Sequence, residues 1–249
     1  MDKTSNIIEV QNLSVAFDER EVLTDVSFTV QPEQITVILG GSGSGKTTIL
    51  KHLLNLYPSP ENTTFVFNKD VAGLSEEEQT EFYLNMGVFY QNGALINSLT
   101  VIENVALPLE QHTTLPDNII RQMVLMKLGL VNLKEAAHLY PAQLSGGMLK
   151  RAALARAIIM DPPLLFCDEP GAGLDPVSLA SLDQLILDLR EQLGMTIVMV
   201  THEVSSILRV ADKIIFLEKG QIIFEGAKKE ALESDIESVQ EFFGKGTGK

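Results

Sequence analysis

The sequence has little cysteine and little positive charge. Its one cysteine, Cys167, cannot form a disulfide within the chain. Lysine and arginine together number 19 against 33 aspartates and glutamates, which gives a formal net charge of −14. A surface that binds nucleic acid needs clustered basic side chains to displace the counterions of the phosphates. We therefore expect no nucleic-acid partner.

Long apolar runs and a secretion signal are also missing. No stretch approaches the roughly 20 uninterrupted apolar residues of a membrane-spanning helix. The first residues show no basic segment followed by an apolar run. Together with the lone cysteine, this predicts a cytosolic protein which, if it serves a membrane, does so as a peripheral subunit. With 249 residues and 45% hydrophobic content, the chain can bury the core of one domain.

The order of the apolar segments predicts an α/β fold. Two segments within residues 7–30 alternate apolar and polar positions, which indicates an antiparallel β-subdomain at the start. Short apolar strands that begin at Gln34, Met86, Leu164 and Thr196 then alternate with helical segments. This alternation favours a mostly parallel sheet that is covered on both faces.

Residues from about 95 to 160 differ in composition from the rest of the chain. They are rich in leucine, methionine and alanine and contain Pro108, Pro116 and Pro141, which we expect to break helices. We interpret this segment as a helical insert within a single domain that spans residues 1–249. From about residue 228, a tail with the sequence IESVQEFF docks either on its own domain or on a partner.

A glycine-rich stretch joins the strand that begins at Gln34 to a helix and matches the phosphate-binding pattern GxxxxGK followed by Ser or Thr. Glycines let backbone N–H groups converge on an anion, and the next helix presents its N-terminal amides to the same place. The predicted ligand is a polyphosphate. Lys46 is expected to reach its β and γ phosphates, and the Thr47 hydroxyl to coordinate Mg²⁺. The alternative is an ordinary glycine-rich connection. The loop comprises Gly40, Gly41, Ser42, Gly43, Ser44, Gly45, Lys46, Thr47 and Thr48.

Two adjacent acids, Asp168 and Glu169, end the apolar strand LLFCD. Charged residues at the end of a buried strand lie at the carboxyl edge of the sheet, where open α/β folds bind ligands. Asp168 is expected to hold Mg²⁺ through water. Glu169 is expected to orient or deprotonate the water that attacks the γ phosphate. The alternative is a solvated strand end. His202 follows another strand, at the same edge, and is expected near the γ phosphate, although a lone histidine is more often structural.

A second glycine cluster, Ser145, Gly146 and Gly147, opens an alanine-rich helix. Ser145 is a good N-cap, and the helix N-terminus again offers amides to an anion. One nucleotide is already held by the first loop. The second cluster therefore either starts a helix and does nothing more, or serves the nucleotide of another copy in a symmetric dimer.

These elements, in this order, resemble the ATP-binding cassette (ABC) ATPases over nearly the whole chain. The resemblance implies a P-loop NTPase core, ATP as ligand, and two copies that enclose two ATP molecules head to tail. It also implies that Phe17 stacks on adenine and that Asp175 of the GLD sequence belongs to the nucleotide site. The implied catalytic residues are Glu169, His202 and Gln91, and the implied Mg²⁺ ligands are Thr47, Gln91 and Asp168.

A narrower resemblance is to the ATPases of Mce-type phospholipid transporters, the Mla group. It rests on residues 91–116, the MVLMKLGL segment and the signature LSGGM, while AGLD replaces the commoner SALD and Phe17 the usual tyrosine. It implies location at the cytoplasmic face of the inner membrane, permease subunits, an Mce-type lipid-binding subunit and a small regulatory subunit. Two alternatives remain: another cargo such as lipoprotein or amino acid, and a soluble mechanical ATPase that acts on DNA or ribosomes.

Several apolar residues after Gln91 are candidates for surface exposure, namely Leu95, Ile96, Val101 and Leu107. In the family this segment contacts the permease. We expect residues 91–99 and part of the helical insert to form a groove for a permease helix. The alternative for each residue is packing in the core.

Overall fold

The computed structural model describes residues 6–18 and 20–246. Within these residues the strands are β1 (Ile8–Phe17), β2 (Arg20–Val30), β3 (Ile35–Leu39), β4 (Thr64–Val66), β5 (Lys69–Asp70), β6 (Met86–Phe89), β7 (Leu164–Asp168), β8 (Thr196–Val200), β9 (Lys213–Glu218) and β10 (Gln221–Ala227). The α-helices are α1 (Lys46–Leu53), α2 (Glu76–Leu84), α3 (Val101–His112), α4 (Asp117–Leu130), α5 (Gly146–Ala157), α6 (Pro176–Leu193), α7 (Val204–Val210), α8 (Lys228–Leu232) and α9 (Glu237–Gly246).

The chain divides into two compact units. The first contains the described residues up to Glu81 together with those from Thr196 onward, and the second contains Phe82–Met195. Among the described helices, none is both long enough and apolar enough to cross a membrane.

An antiparallel sheet in the first unit has the strand order β2-β1-β4-β5. Ile8 lies opposite Val30 on one side of β1 and opposite Val66 on the other. The pairing of β1 with β2 is irregular at Asn12 and Asp25, which both have positive φ angles and are joined by a hydrogen bond of 2.7 Å from Asn12 Nδ2 to Asp25 Oδ1. The antiparallel β-subdomain, which the alternation of apolar and polar residues within 7–30 predicted, is confirmed.

The other strands of the first unit have the order β10-β9-β3-β8. β3 pairs in parallel with both β8 and β9, and β10 returns antiparallel to β9. All five residues of β3 are buried, as is typical of a parallel strand covered on both faces. The hairpin from β9 to β10 turns at Lys219 and Gly220, both with positive φ, which is the geometry of a tight two-residue turn.

The second unit combines the parallel pair β6 and β7 with helices α3 to α6. Pro116 directly precedes α4, and Pro141 opens a short 3-10 turn, as expected of helix boundaries. The expectation for Pro108 was wrong, because this proline lies inside α3. Its missing N–H removes one helical hydrogen bond, but tertiary packing of the helix's apolar face outweighs that loss.

For Val101 the structure shows the alternative that the sequence left open, which is packing in the core. This residue is the first of α3 and is completely buried, on the same helix face as Val105 and Leu109. These positions are four residues apart and therefore form one stripe along the helix. Ile96 is 44% exposed, as expected, whereas Leu95 and Leu107 are only partly exposed.

The tail docks on its own unit. In α9, Val239 and Phe243 are buried, and the Phe242 ring packs edge-on against Phe216 of β9 at a centroid distance of 5.5 Å. The Ser238 hydroxyl donates a hydrogen bond to Glu218 at 2.8 Å. The last three residues, 247–249, lie outside the described residues. The single domain with an insert at about 95–160 stays a prediction.

Candidate nucleotide site

The phosphate loop joins β3 to α1 in the first unit. Three of its glycines, Gly40, Gly43 and Gly45, have φ angles of 150°, 75° and 107°. Such angles are unfavourable for residues with a Cβ atom. A side chain would also clash at two of these positions. A Cβ on Gly40 would lie 2.0 Å from the Leu217 carbonyl oxygen, and one on Gly45 would lie 2.6 Å from the Leu23 side chain. Glycine is therefore required at both positions.

Polar groups within this loop point to an anionic ligand. The Lys46 ammonium donates hydrogen bonds to the carbonyl oxygens of Gly40 at 2.9 Å and Gly41 at 2.8 Å, so it is folded back over the loop. The buried Ser44 hydroxyl has no hydrogen-bond partner among the described residues. A buried polar atom of this kind needs a partner, and a phosphate oxygen would supply one. Thr47 and Thr48 lie in the first turn of α1, which begins directly behind the loop.

Two further predicted residues lie in the first unit. Phe17 ends β1 with 44% of its surface exposed, and its ring packs against the ring of Tyr57 at 5.4 Å and 68°. This edge-on contact leaves ring area of Phe17 open to stacking with a base. His202 follows β8 with 62% of its side chain exposed.

The predicted carboxylates and Gln91 share one sheet edge in the second unit. β6 and β7 run in parallel with Phe89 opposite Cys167, so Gln91 and Asp168 both emerge at the carboxyl ends of neighbouring strands. Glu169 comes next and is half-buried, with a positive φ of 46°. Twelve other described non-glycine residues also have positive φ, so the position of Glu169 at the sheet edge, and not its φ angle, marks it as a site residue.

The second glycine cluster lies at the N-terminus of α5. Ser145 is the N-cap, and its hydroxyl accepts a hydrogen bond from the Met148 amide at 3.3 Å. A Cβ on Gly147 would be 3.7 Å from the Ser178 hydroxyl in the first turn of α6, so the N-termini of the two helices are neighbours. The cluster therefore presents helix amides beside a second helix start.

Asp175 is the N-cap of α6. Its carboxylate accepts hydrogen bonds from the amides of Val177 and Ser178, both at 3.0 Å, and from the Ser178 hydroxyl. The Ser178 hydroxyl, followed by the Ser178 amide, holds the pKa of Asp175 below its usual value. The carboxylate is thus an ionised helix cap that orients the loop before α6.

The structure distributes the predicted residues between the two units. The first contains Phe17, the phosphate loop and His202, and the second contains Gln91, Ser145 to Gly147, Asp168, Glu169 and Asp175. No cluster of three or more histidine, cysteine or acidic residues suited to a metal occurs among the described residues. Thr47, Gln91 and Asp168 nevertheless offer hydroxyl, amide and carboxylate oxygens, the donors that Mg²⁺ prefers alongside phosphates.

Lys150 and Arg156 on α5 were not identified from the sequence. Both donate hydrogen bonds to backbone carbonyls of the segment that follows β6. Burial lowers the pKa of Lys150, against the attraction of Glu169 and Asp168, which raises it. The available signal was three basic residues, Lys150, Arg151 and Arg156, in an otherwise alanine-rich and apolar helix.

Comparison with known proteins decides the family. The family model described as ABC transporter matches residues 23–172. The chain belongs to the ABC transporter family. It is 42% identical over 245 residues to the intermembrane phospholipid transport system ATP-binding protein MlaF of Haemophilus influenzae, covering 98% of this chain and 92% of that protein. MlaF of Escherichia coli K12 is 36% identical over 239 residues, covering 96% of this chain and 88% of that protein.

Other relatives are longer than this ABC transporter ATPase. The probable ribonucleotide transport ATP-binding protein mkl of Mycobacterium tuberculosis is 37% identical over 235 residues, or 94% of this chain, and the match spans 66% of its length. Among solved structures, cbiO1 of Clostridium perfringens has a TM-score of 0.85 at 25% identity, covering 92% of this chain and 91% of that one.

The ATP-binding cassette MJ0796, in a dimeric structure of a post-hydrolysis state bound to ADP and Pi, has a TM-score of 0.79 at 30% identity. That match covers 88% of this chain and 98% of the cassette. The expected α/β fold with a P-loop NTPase core is thereby confirmed, as is the assignment as an ATP-binding, ATP-hydrolysing protein.

Proposed function

We propose that this ABC transporter ATPase powers phospholipid transport through a membrane permease. The observation that carries the proposal is similarity to MlaF of Haemophilus influenzae over 98% of this chain and 92% of that protein. A methionine import protein, MetN of Lactobacillus johnsonii, is 39% identical, but the match spans only 66% of its length. Amino acid and lipoprotein remain the alternative cargoes, and the near end-to-end match favours phospholipid.

In the proposed site, the chain's own groups bind and orient the triphosphate. The amides of the phosphate loop and the Lys46 ammonium bind the β and γ phosphates, and Phe17 stacks on adenine. Thr47, Gln91 and Asp168 supply oxygen ligands for Mg²⁺, which when bound neutralises charge on the phosphates. The oxygen chemistry of these three side chains fits that ion, and the Ser44 hydroxyl supports the phosphate.

Hydrolysis requires an oriented water. Glu169 accepts a proton from this water or orients it, and His202 donates a hydrogen bond to the γ phosphate. The position of Glu169 directly after β7, at the sheet edge where Gln91 and Asp168 also emerge, supports this assignment. Gln91 assists in placing the water and the metal.

A second copy of the chain completes each site in this proposal. Ser145, Gly146 and Gly147 lie at the N-terminus of α5, beside the helix cap formed by Asp175. In this proposal the phosphate loop already binds the chain's own nucleotide, so the glycine cluster is available to a second one. Val177 next to this cap is 79% exposed. The dimeric structure of the similar cassette bound to ADP and Pi supports pairing of two copies, and we propose that these residues then face the partner's nucleotide.

The proposed permease site includes residues 91–99 and a groove between α3 and α4. This groove of about 210 Å³ is lined by apolar residues that include Ile102 and Ile120, and by three acidic residues against one basic residue, namely Glu103, Glu110, Asp117 and Arg121. An amphipathic helix with basic flanks would match both features. We further propose an Mce-type lipid-binding subunit, a small regulatory subunit, and a position at the cytoplasmic face of the inner membrane.

Purification of the complex from native membranes tests the proposal. We expect an integral permease, an Mce-type subunit and phospholipid to co-purify with the tagged chain. The complex in vesicles should move a fluorescent phospholipid only with ATP, and the same complex carrying Glu169→Gln should not. Recovery of an amino-acid permease, a ribosome or DNA in place of these components would overturn it.

A further inference from the structure

Lys150 is a buried cation that the proposed mechanism does not use. It lies one turn into α5 and is only 8% exposed. Its ammonium donates a hydrogen bond to the backbone carbonyl of Gln91 and lies 5.5 Å from the centroid of the Phe89 ring. Burying a lysine is costly unless the charge is compensated. Its direct contacts here are with the residue proposed as a Mg²⁺ ligand and with the strand before it, and the charges of Glu169 and Asp168 also attract it.

Arg156 makes a similar contact further along the same helix. Its guanidinium donates hydrogen bonds of 2.9 Å to the carbonyl oxygens of both Gly93 and Ala94. The backbone approaches α5 so closely here that a Cβ on Gly93 would lie 3.2 Å from the Ala153 side chain. Residues 91–94, which we call the Gln91 loop, therefore have three of their four carbonyls bonded to two cations of one helix.

We propose that Lys150 and Arg156 are positioning residues that fix the Gln91 loop to α5, so that Gln91 and the glycine cluster at Ser145 move as one body. The inference rests on the proposed function, which gives both ends of this body a role. Ser145 caps the helix whose fifth residue is Lys150, about 8 Å along the axis at 1.5 Å per residue. A helix is rigid over that length. Nucleotide contact at the glycine cluster is thereby transmitted to Gln91 and to the permease segment behind it.

Two other roles of Lys150, in electrostatics and in packing, can be distinguished from the positioning role. It also attracts Asp168 and Glu169 electrostatically, so its removal affects the carboxylates as well as the Gln91 loop. It also contributes to packing like any buried side chain. Lys127 offers a matched comparison, because it is a lysine of the same unit, 7% exposed, whose ammonium pairs with Asp161 and not with the Gln91 loop.

Amide hydrogen exchange measures how often the Gln91 loop opens, and it does not require ATPase activity. The Gly93 amide donates to the Tyr90 carbonyl at 2.8 Å and is a reporter inside the loop. We expect Lys150→Met to speed exchange across residues 91–94 by about tenfold or more, as expected from loss of a hydrogen bond to a charged group. Lys150→Arg should restore much of the protection. Lys127→Met should leave these amides unchanged even if it lowers overall stability.

A kinetic measurement then separates the inference from the function on which it rests. In the membrane complex, Lys150→Met should lower permease-stimulated kcat at least about tenfold while the KM for ATP changes little. If the wild type hydrolyses ATP, and Lys150→Met keeps both wild-type exchange and wild-type stimulation, the positioning role is refuted and the proposed function stands. If the wild type does not hydrolyse ATP, the proposed function fails instead. Should Lys150→Met not fold, Arg156→Lys tests the same loop, with faster exchange expected and unchanged exchange contradicting the inference.

Discussion

The Lys46 ammonium and the Gly40 carbonyl oxygen lie 2.9 Å apart, in a hydrogen bond that folds the lysine back over its own loop. A second hydrogen bond joins the same ammonium to the Gly41 carbonyl oxygen at 2.8 Å. These two hydrogen bonds restrict the Lys46 side chain to a position over the phosphate loop, so less rotamer entropy remains to be lost when a phosphate binds. Because the side chain is already ordered, more of the lysine's attraction for the phosphate contributes to the affinity for nucleotide.

Lys46→Ala should therefore weaken nucleotide binding strongly without unfolding the protein. Loss of a hydrogen-bonding charge to phosphate predicts an affinity decrease of about tenfold to a hundredfold. Fluorescent ATP-analogue titration measures it. Lys69→Ala, which removes a partly exposed lysine of β5 paired with Glu81, is the control and should bind as the wild type does. Equal affinity of Lys46→Ala and the control would remove Lys46 from the site.

Glu169→Gln should separate binding from hydrolysis. The amide keeps the shape of the side chain but cannot accept a proton from water, so phosphate release should fall by about a hundredfold or more. Affinity for ATP should be retained, and the ATP-bound variant should elute as a dimer. Glu135→Gln, at an exposed position of the same unit, serves as control. Phosphate release at the wild-type rate would contradict the assignment of Glu169 as base.

Features coded by neighbouring residues could be predicted from the sequence. The strand, glycine loop and helix around Lys46 follow from an apolar run, a pattern of glycines and a helical repeat, all within about 20 residues. The hairpin at Lys219 and Gly220 is local as well. In contrast, β4 and β5 have three and two residues, too few for a periodic signal, and they exist because β1 provides a pairing edge.

Contacts between distant parts of the chain could not be predicted. Lys150 and its acceptor Gln91 are 59 positions apart, so no spacing rule connects them. Pro108 was misjudged and Val101 was left undecided for the same reason: the packing that tolerates a proline inside α3 and buries its first residue is tertiary. The motif residues were identified because chemistry restricts their type, whereas the residues that hold them in place are restricted only by the fold.

Leu95→Asp should uncouple the ATPase from its membrane partner. Leu95 lies in the segment proposed to receive a permease helix and is only partly exposed, so a carboxylate there opposes apolar docking. We expect weaker assembly in pull-down with the permease, loss of stimulated hydrolysis and unchanged basal hydrolysis. Leu232→Asp, at a 48% exposed position in α8, is the control. Intact assembly and stimulation in Leu95→Asp would refute the docking site.

His52 should make stability fall in mild acid. It is 2% exposed, its Nδ1 lies 3.0 Å from the Ser59 hydroxyl, and burial lowers its pKa. The unfolded chain, with an ordinary pKa near about 6.5, then binds the proton more readily than the folded chain. The contribution of neutral His52 is therefore complete above that value and is lost as pH falls toward the lowered one.

Urea unfolding at pH 8 and pH 5.5 measures this effect. The part due to one proton is at most about 1.4 kcal/mol per pH unit. His52→Gln should have a smaller difference in unfolding free energy between the two pH values than the wild type. His112→Gln, at an exposed position, should keep the wild-type difference. An undiminished pH dependence in His52→Gln would show that other groups cause it.

Cys167 should resist thiol reagents until the protein unfolds. It is completely buried in β7, and burial, with a smaller effect of the Asp168 charge, raises its pKa far above the usual range. Both the closed surroundings and the neutral thiol prevent nucleophilic attack, since only the thiolate reacts. Labelling with a chromogenic disulfide at pH 8 should therefore be slow in buffer and complete in concentrated urea.

Because the lone cysteine reports opening of β7, its labelling rate also reports ligand binding. A ligand that binds the folded chain lowers the open population by the factor 1 + [L]/Kd, so saturating ATP at about 100 times Kd should slow labelling by about a hundredfold where opening is global. The Glu169→Gln variant keeps the ATP intact during the measurement. Addition of Lys46→Ala to it, with the weaker binding predicted above, should reduce the protection at the same ATP concentration to between about elevenfold and about twofold. Rapid labelling of the native chain, equal with and without ATP, would contradict both the burial of this strand and the coupling of its stability to nucleotide.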